Sequence, residues 1–255
     1  MMNKQLSIIS GTPLDAVILS TDQKYLEGRL PQVGTRVEFD DGRVFRFCST
    51  AEVFVAGEMV AVQTCQATEI DGGITAAAVG TKTLTIATTA ITFFGGAAGV
   101  VAADRLSGGY LMITDDTGEG YSYRIKSNTA GTAAVALTVT LYDGLKVAVA
   151  ADTDCIIVGP KYRKVTEGAV ALSPIGACLV PTTGASSTVE AFFWVQTRGP
   201  AVCLGAGTVG VEIASAASGA VADAAEAGSG VYDRILGTGL GTTANGYAAV
   251  DLRLE

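Results

Sequence analysis

Chemistry in this chain has to be built from carboxylates, thiols, lysines and tyrosines, because the sequence contains no histidine. That excludes Ser-His-Asp and Cys-His nucleophile systems within the chain, and any zinc site with a histidine ligand. The acid–base candidates that remain are two adjacent carboxylate pairs, Asp40-Asp41 and Asp115-Asp116. A glycosidase needs two carboxyls facing each other across a sugar, roughly 5–10 Å apart. Neighbours in a β-turn point apart and act as turn formers or solvated charges. Asp115-Asp116-Thr117-Gly118-Glu119 gathers oxygens that could hold calcium, but without the spacing of a calcium loop.

Glycine motifs invite a nucleotide reading. Gly205-Ala206-Gly207-Thr208-Val209-Gly210 fits G-x-G-x-x-G after an apolar run, yet Val211-Glu212-Ile213 continues as strand where a dinucleotide site needs a helix. It reads as a glycine turn between strands, and so does Gly237-Thr238-Gly239-Leu240-Gly241. Gly80-Thr81-Lys82-Thr83 resembles the end of a phosphate loop, but no glycine stands where the first glycine of that loop belongs. The five cysteines, Cys48, Cys65, Cys155, Cys178 and Cys203, are odd in number and form no C-x-x-C clip. Four lie in apolar strand-like runs, where a free thiol behaves as a small hydrophobe, and they read as reduced core residues made in a cytoplasm. Trp194, the only tryptophan, sits in Phe192-Phe193-Trp194 and reads as core or as a subunit-contact anchor. No catalytic, cofactor-binding or metal-binding residue is expected, and the chain is not expected to be an enzyme.

The composition points the same way. Hydrophobic residues make up 49% and charged residues 16%, and the formal charge is −8. An acidic chain whose only basic run is Lys161-Tyr162-Arg163-Lys164 is a poor nucleic-acid binder. The apolar stretch near Ile8-Ile9 is too short for a signal peptide, and no run approaches a membrane span. Neither nucleic acid nor membrane is expected as a partner.

The elements that must position these residues are strands. Arg36–Phe39 and Arg43–Phe47 alternate in polarity around Asp41-Gly42, a strong hairpin signal. Glu52–Val55 and Met59–Gln63 continue a meander. Thr83–Ala87 and Ala90–Phe94 are threonine-rich with period two, and Tyr110–Thr114 with Tyr121–Lys126 forms a second hairpin. Ala134–Leu141 and Asp154–Pro160 follow. Further strands are read at Ala177–Val180, Glu190–Thr197, Gly199–Leu204, Val209–Ile213 and Tyr247–Leu254. Ala214–Ala227 lacks a helical stripe and reads as a loop with a short strand. The expected class is all-β, with antiparallel hairpins and meanders forming two barrel- or sandwich-like domains. The organisation reads as an extended N-terminal arm over 1–32, a hairpin region over 33–66, a threonine-rich domain over 67–164 and a C-terminal domain over 165–255. The middle block could be an insertion into a domain built from the flanking regions.

Two stretches carry a resemblance. Gly108-Gly109-Tyr110 through Lys126-Ser127-Asn128, and Phe193-Trp194-Val195-Gln196-Thr197-Arg198-Gly199-Pro200-Ala201 with the glycine-alanine-rich strands after it, resemble virion structural proteins of tailed bacteriophages, in particular capsid decoration or cement proteins. The resemblance implies a β-rich homotrimer or homodimer, assembled in a host cytoplasm and seated on the virion capsid surface. It implies the major capsid protein as partner, with a flexible arm that orders on the shell. The alternative is a phage tail or surface adhesin that binds host polysaccharide, for which the Tyr110, Tyr121, Tyr123 and Trp194 strands would face solvent.

Overall fold

The computed structural model describes residues 33–62, 70–86, 101–131, 136–151, 153–168, 173–182, 190–224, 235–242 and 245–255. The expected arm over 1–32, the expected strand at Ala90–Phe94 and Cys65 lie outside them. Among the described residues every regular element is a strand: the fold is all-β, built from a ten-stranded sheet and a closed six-stranded barrel. Chain contacts divide it into two compact units, one of residues 1–63 and 162–255, the other of 64–161.

In chain order the first unit opens with β1 (Arg36–Glu38), β2 (Val44–Thr50) and β3 (Met59–Ala61). The second unit holds β4 (Ile70–Ile74), β5 (Thr83–Ile86), β6 (Tyr110–Ile113), β7 (Ser122–Asn128), β8 (Leu137–Leu141) and β9 (Thr153–Val158). The first unit then resumes with β10 (Thr166–Glu167), β11 (Pro174–Cys178), β12 (Ala191–Leu204), β13 (Glu212–Ser215), β14 (Val221–Asp223), β15 (Ile235–Thr242) and β16 (Tyr247–Arg253).

The barrel closes in the order β4-β5-β8-β7-β6-β9, with every pairing antiparallel. Its strands alternate, apart from irregularities in β4 and after Ile125 in β7: Leu84, Ile86, Leu111, Ile113, Tyr123, Ile125, Leu137, Val139, Leu141, Cys155 and Ile157 are buried and form one core. Thr83, Thr85, Arg124 and Tyr110 point outward. Period-two patterning thus decides which face is core, because a strand's successive side chains leave opposite faces. Asn128 fastens the segment entering β6: its Oδ1 accepts from Leu106 N at 2.8 Å while its Nδ2 donates to the Ala102 and Thr129 carbonyls.

In the first unit β12 is the organising strand. Ala191–Arg198 pairs with β2, and Arg198–Leu204 pairs with β16. At Gln196 it is flanked at once by Phe45 of β2 and Ala177 of β11. The continuous apolar run reflects burial on both faces. Phe193 and Val195 join one cluster with Cys48, Phe54 and Ile175. Trp194 and Phe192 join another with Phe39, Phe45 and Phe47. There Phe47 lies edge-on to Trp194, with ring centroids 5.2 Å apart.

Several local expectations change. Glu190–Thr197 and Gly199–Leu204 are not two strands but one strand of 14 residues. Gly199, at φ +85°, and a register shift between Gln196 and Arg198 form a bulge that bends the strand as it changes partner. Glu52–Val55 is irregular, although Val53-Phe54-Val55 has the composition of a strand. Its backbone is satisfied by a side chain instead of a ladder: Phe54 N donates to Thr182 Oγ1 at 2.7 Å, and Thr182 Oγ1 donates to the Glu52 carbonyl. Gly237–Gly241 is no turn but the interior of β15. A Cβ at Gly237 would meet the Asp251 carbonyl, and one at Gly239 the Thr208 carbonyl, so these glycines permit close backbone approach. Val209 and Val211 lie in the connection before β13, which starts only at Glu212.

Candidate functional site

The residues with chemical potential are occupied locally. Asp41 stands in the β1–β2 turn, where its Oδ1 accepts from Arg43 N at 3.0 Å and its Oδ2 from Arg43 Nε at 2.6 Å. The Arg43 hydrogen bond holds its carboxyl below the usual value. Asp115 Oδ1 accepts from Asp116 N at 2.8 Å, within a loop where Asp116 takes the left-handed conformation. In each pair one carboxylate, Asp41 or Asp115, is engaged within its own turn. Among the described residues no group of three or more Cys, Asp or Glu gathers at one point.

The G-x-G-x-x-G segment connects β12 to β13 with no helix after it. Its Thr208 donates through N and Oγ1 to Asp223, at 2.7 and 2.6 Å. A backbone N–H that a phosphate loop would aim at an anion is therefore taken by a carboxylate of the same chain. Cys48, Cys155, Cys178 and Cys203 are buried, and burial pushes the last three thiols up to about 12. In the basic run, Arg163 and Lys164 both lie within ion-pair distance of Glu190. Of the four aromatic residues that an adhesin reading places in solvent, Tyr110 and Tyr121 are exposed, whereas Tyr123 and Trp194 are core residues.

Two surfaces remain. In the first unit, β2's pairing stops at Val44 while β12 runs on, and a groove of about 400 Å³ forms there. Its walls include Arg43, Gly57, Leu179, Gln196, Val202 and Tyr247. The buried Gln196 amide donates through Nε2 to the carbonyls of Arg198 and Pro200 on its own strand, while its Oε1 has no hydrogen-bond partner among the described residues. Val202 is 56% exposed, and the loop that supplies Ala56 and Gly57 also presents Val53 and Val55 to solvent. Single exposed valines are ordinary; here Val202 stands on the groove wall, and Val53 and Val55 lie on the chain leading into it.

In the second unit, the outer face of the barrel carries a row that the register creates. Val158 of β9 pairs with Tyr110 of β6, and Tyr110 with Arg124 of β7. Tyr142 N donates to the Arg124 carbonyl at 3.0 Å, which sets Tyr142 next in the row. The Arg124 guanidinium lies 5.1 Å from the Tyr142 ring centroid. Neither surface is legible in one strand's sequence, because each depends on which strands become neighbours.

No family model, curated protein or solved structure matches this chain.

Proposed function

We propose that the chain is a non-catalytic decoration, or cement, protein of a tailed-bacteriophage head. In this reading it binds the outer surface of the shell and bridges major capsid subunits, in association with further copies of itself. It works by burying surface across subunit junctions, so that the shell resists internal pressure without any turnover. The observation that carries the reading is the groove beside β12, with exposed Val202 on its wall and exposed Val53 and Val55 on the chain that leads to Ala56 and Gly57. An extended segment of the capsid subunit laid there would remove these side chains from water, at roughly 25 cal/mol per Å² of apolar surface. The low charged fraction and the sequence resemblance support the same reading.

Co-sedimentation with capsid shells lacking the protein tests it. Saturable binding at several hundred copies per shell, on the order of one at each equivalent position, is the expected result. Retention on host cells or glycans with no binding to shells would replace the cement reading with the adhesin.

A further inference from the structure

The outer face of the closed barrel sets two cations of one strand beside exposed aromatic and aliphatic side chains. Arg36, Arg43, Arg46, Arg163, Lys164 and Arg253, all in the first unit, each lie within 4.0 Å of a carboxylate. Arg124 and Lys126, both outward on β7, have no carboxylate within that distance among the described residues. Two such cations side by side in a chain of net charge −8 select an anionic partner.

The cations are set among apolar side chains. Tyr110 is 45% exposed and Val158 36% exposed, and Met112 and Ile156 are half-buried in the adjoining row. The Arg124 guanidinium lies over the Tyr142 ring, 5.1 Å from its centroid, a contact that uses none of its N–H donors on a carboxylate. The row crosses three strands and ends on Tyr142, just past β8; at a strand spacing of about 4.8 Å it runs ~14 Å and, two residues deep, covers on the order of 100–200 Å². A stable protein interface buries about 800 Å² per partner, several times more. A single narrow chain fits. An acidic peptide would satisfy the cations and leave Tyr110 idle, whereas a pyranose offers polarised C–H bonds to the negative face of the ring as well as a carboxylate to the fork.

We propose that this face, centred on Tyr110 and Arg124 with Lys126 beside them, binds an acidic polysaccharide, with a sugar ring stacked on Tyr110 and its carboxylate held by Arg124. The site does not depend on the shell-binding reading, since it lies in the other unit and its test needs no capsid.

Affinity electrophoresis of the full chain through gels containing polygalacturonate, alginate or hyaluronan is the test, with methyl-esterified polygalacturonate and poly-glutamate as controls. At least one uronic-acid polymer should retard the protein, while the ester and poly-glutamate leave it unretarded. Tyr110→Ala and Arg124→Gln should each weaken retardation at least tenfold with no change in melting temperature, and Tyr110→Phe should retain it. Three results would overturn the proposal: no retardation by any of the acidic polymers, equal retardation by poly-glutamate, or full binding by Arg124→Gln.

Discussion

Arg46 Nε lies 2.7 Å from Glu255 Oε1, joining residues 209 positions apart. The same carboxylate oxygen accepts from the Tyr162 hydroxyl at 2.7 Å, and the Arg46 guanidinium sits 5.2 Å from the centroid of the Tyr162 ring. Arg36 approaches the other oxygen at 3.7 Å. One carboxylate therefore ties β2 to the segment entering β10. Both partners are partly buried, with side-chain exposures of 23% and 18%, so screening by solvent is incomplete. Replacing Glu255 with Ala should cost about 1–3 kcal/mol, because it removes the acceptor shared by Arg46 Nε and the Tyr162 hydroxyl. Urea denaturation reads this, and an unchanged midpoint would show that the network contributes nothing.

Alkaline pH should destabilise the fold. Burial pushes Cys155, Cys178 and Cys203 from 9.0 up to about 12, and burial, then the bond to Glu255, raises Tyr162 above its ordinary 10.0. The folded chain keeps protons that the unfolded chain releases, so this stabilisation is complete below about pH 9 and is lost as pH rises towards 12. Melting temperatures measured from pH 8 to 11 should fall with a slope that Cys→Ala replacement at these positions reduces. At pH 8 the same three thiols should resist a thiol reagent in the native protein and react after denaturation.

Gly237 and Gly241 lie in the same strand and should respond oppositely. A Cβ at Gly237 would collide with the Asp251 carbonyl, whereas one at Gly241 would meet nothing within 4 Å. Gly237→Ala should cost about 2–4 kcal/mol by forcing β15 and β16 apart. Gly241→Ala should be neutral or stabilise by up to about 1 kcal/mol through the unfolded chain. Equal effects in thermal melts would refute the difference in packing.

Trp194, 8% exposed within the Phe39, Phe45 and Phe47 cluster, is a built-in reporter. Native fluorescence should be blue-shifted and protected from acrylamide, and should move red on unfolding. Trp194→Ala should cost about 3–5 kcal/mol. Strong quenching in the native state would place the indole at the surface.

Val202→Asp tests the groove without touching the core, because Val202 is 56% exposed. The variant should keep its melting temperature and lose binding to capsid shells in co-sedimentation. Undiminished binding would move the contact away from β12.

The sequence by itself determined the class and most of the strands. Period-two alternation at Ser122–Asn128 and Thr153–Val158, and the Asp41-Gly42 turn, are local signals, and side-chain geometry reads them the same way in any context. Zero histidines settled which nucleophile systems could exist. Where the local signal and the tertiary partner conflicted, the partner won. Val53-Phe54-Val55 has the composition of a strand, but Thr182, far along the chain, holds its backbone outside any ladder. Gly237–Gly241 looks like a turn, but the Asp251 and Thr208 carbonyls occupy the space that side chains would need. The Tyr110–Arg124 row and the β12 groove arise from register and from a partner change at Arg198. Strand neighbours are chosen by burying surface across the whole chain, so only the tertiary structure could decide which side chains stand together.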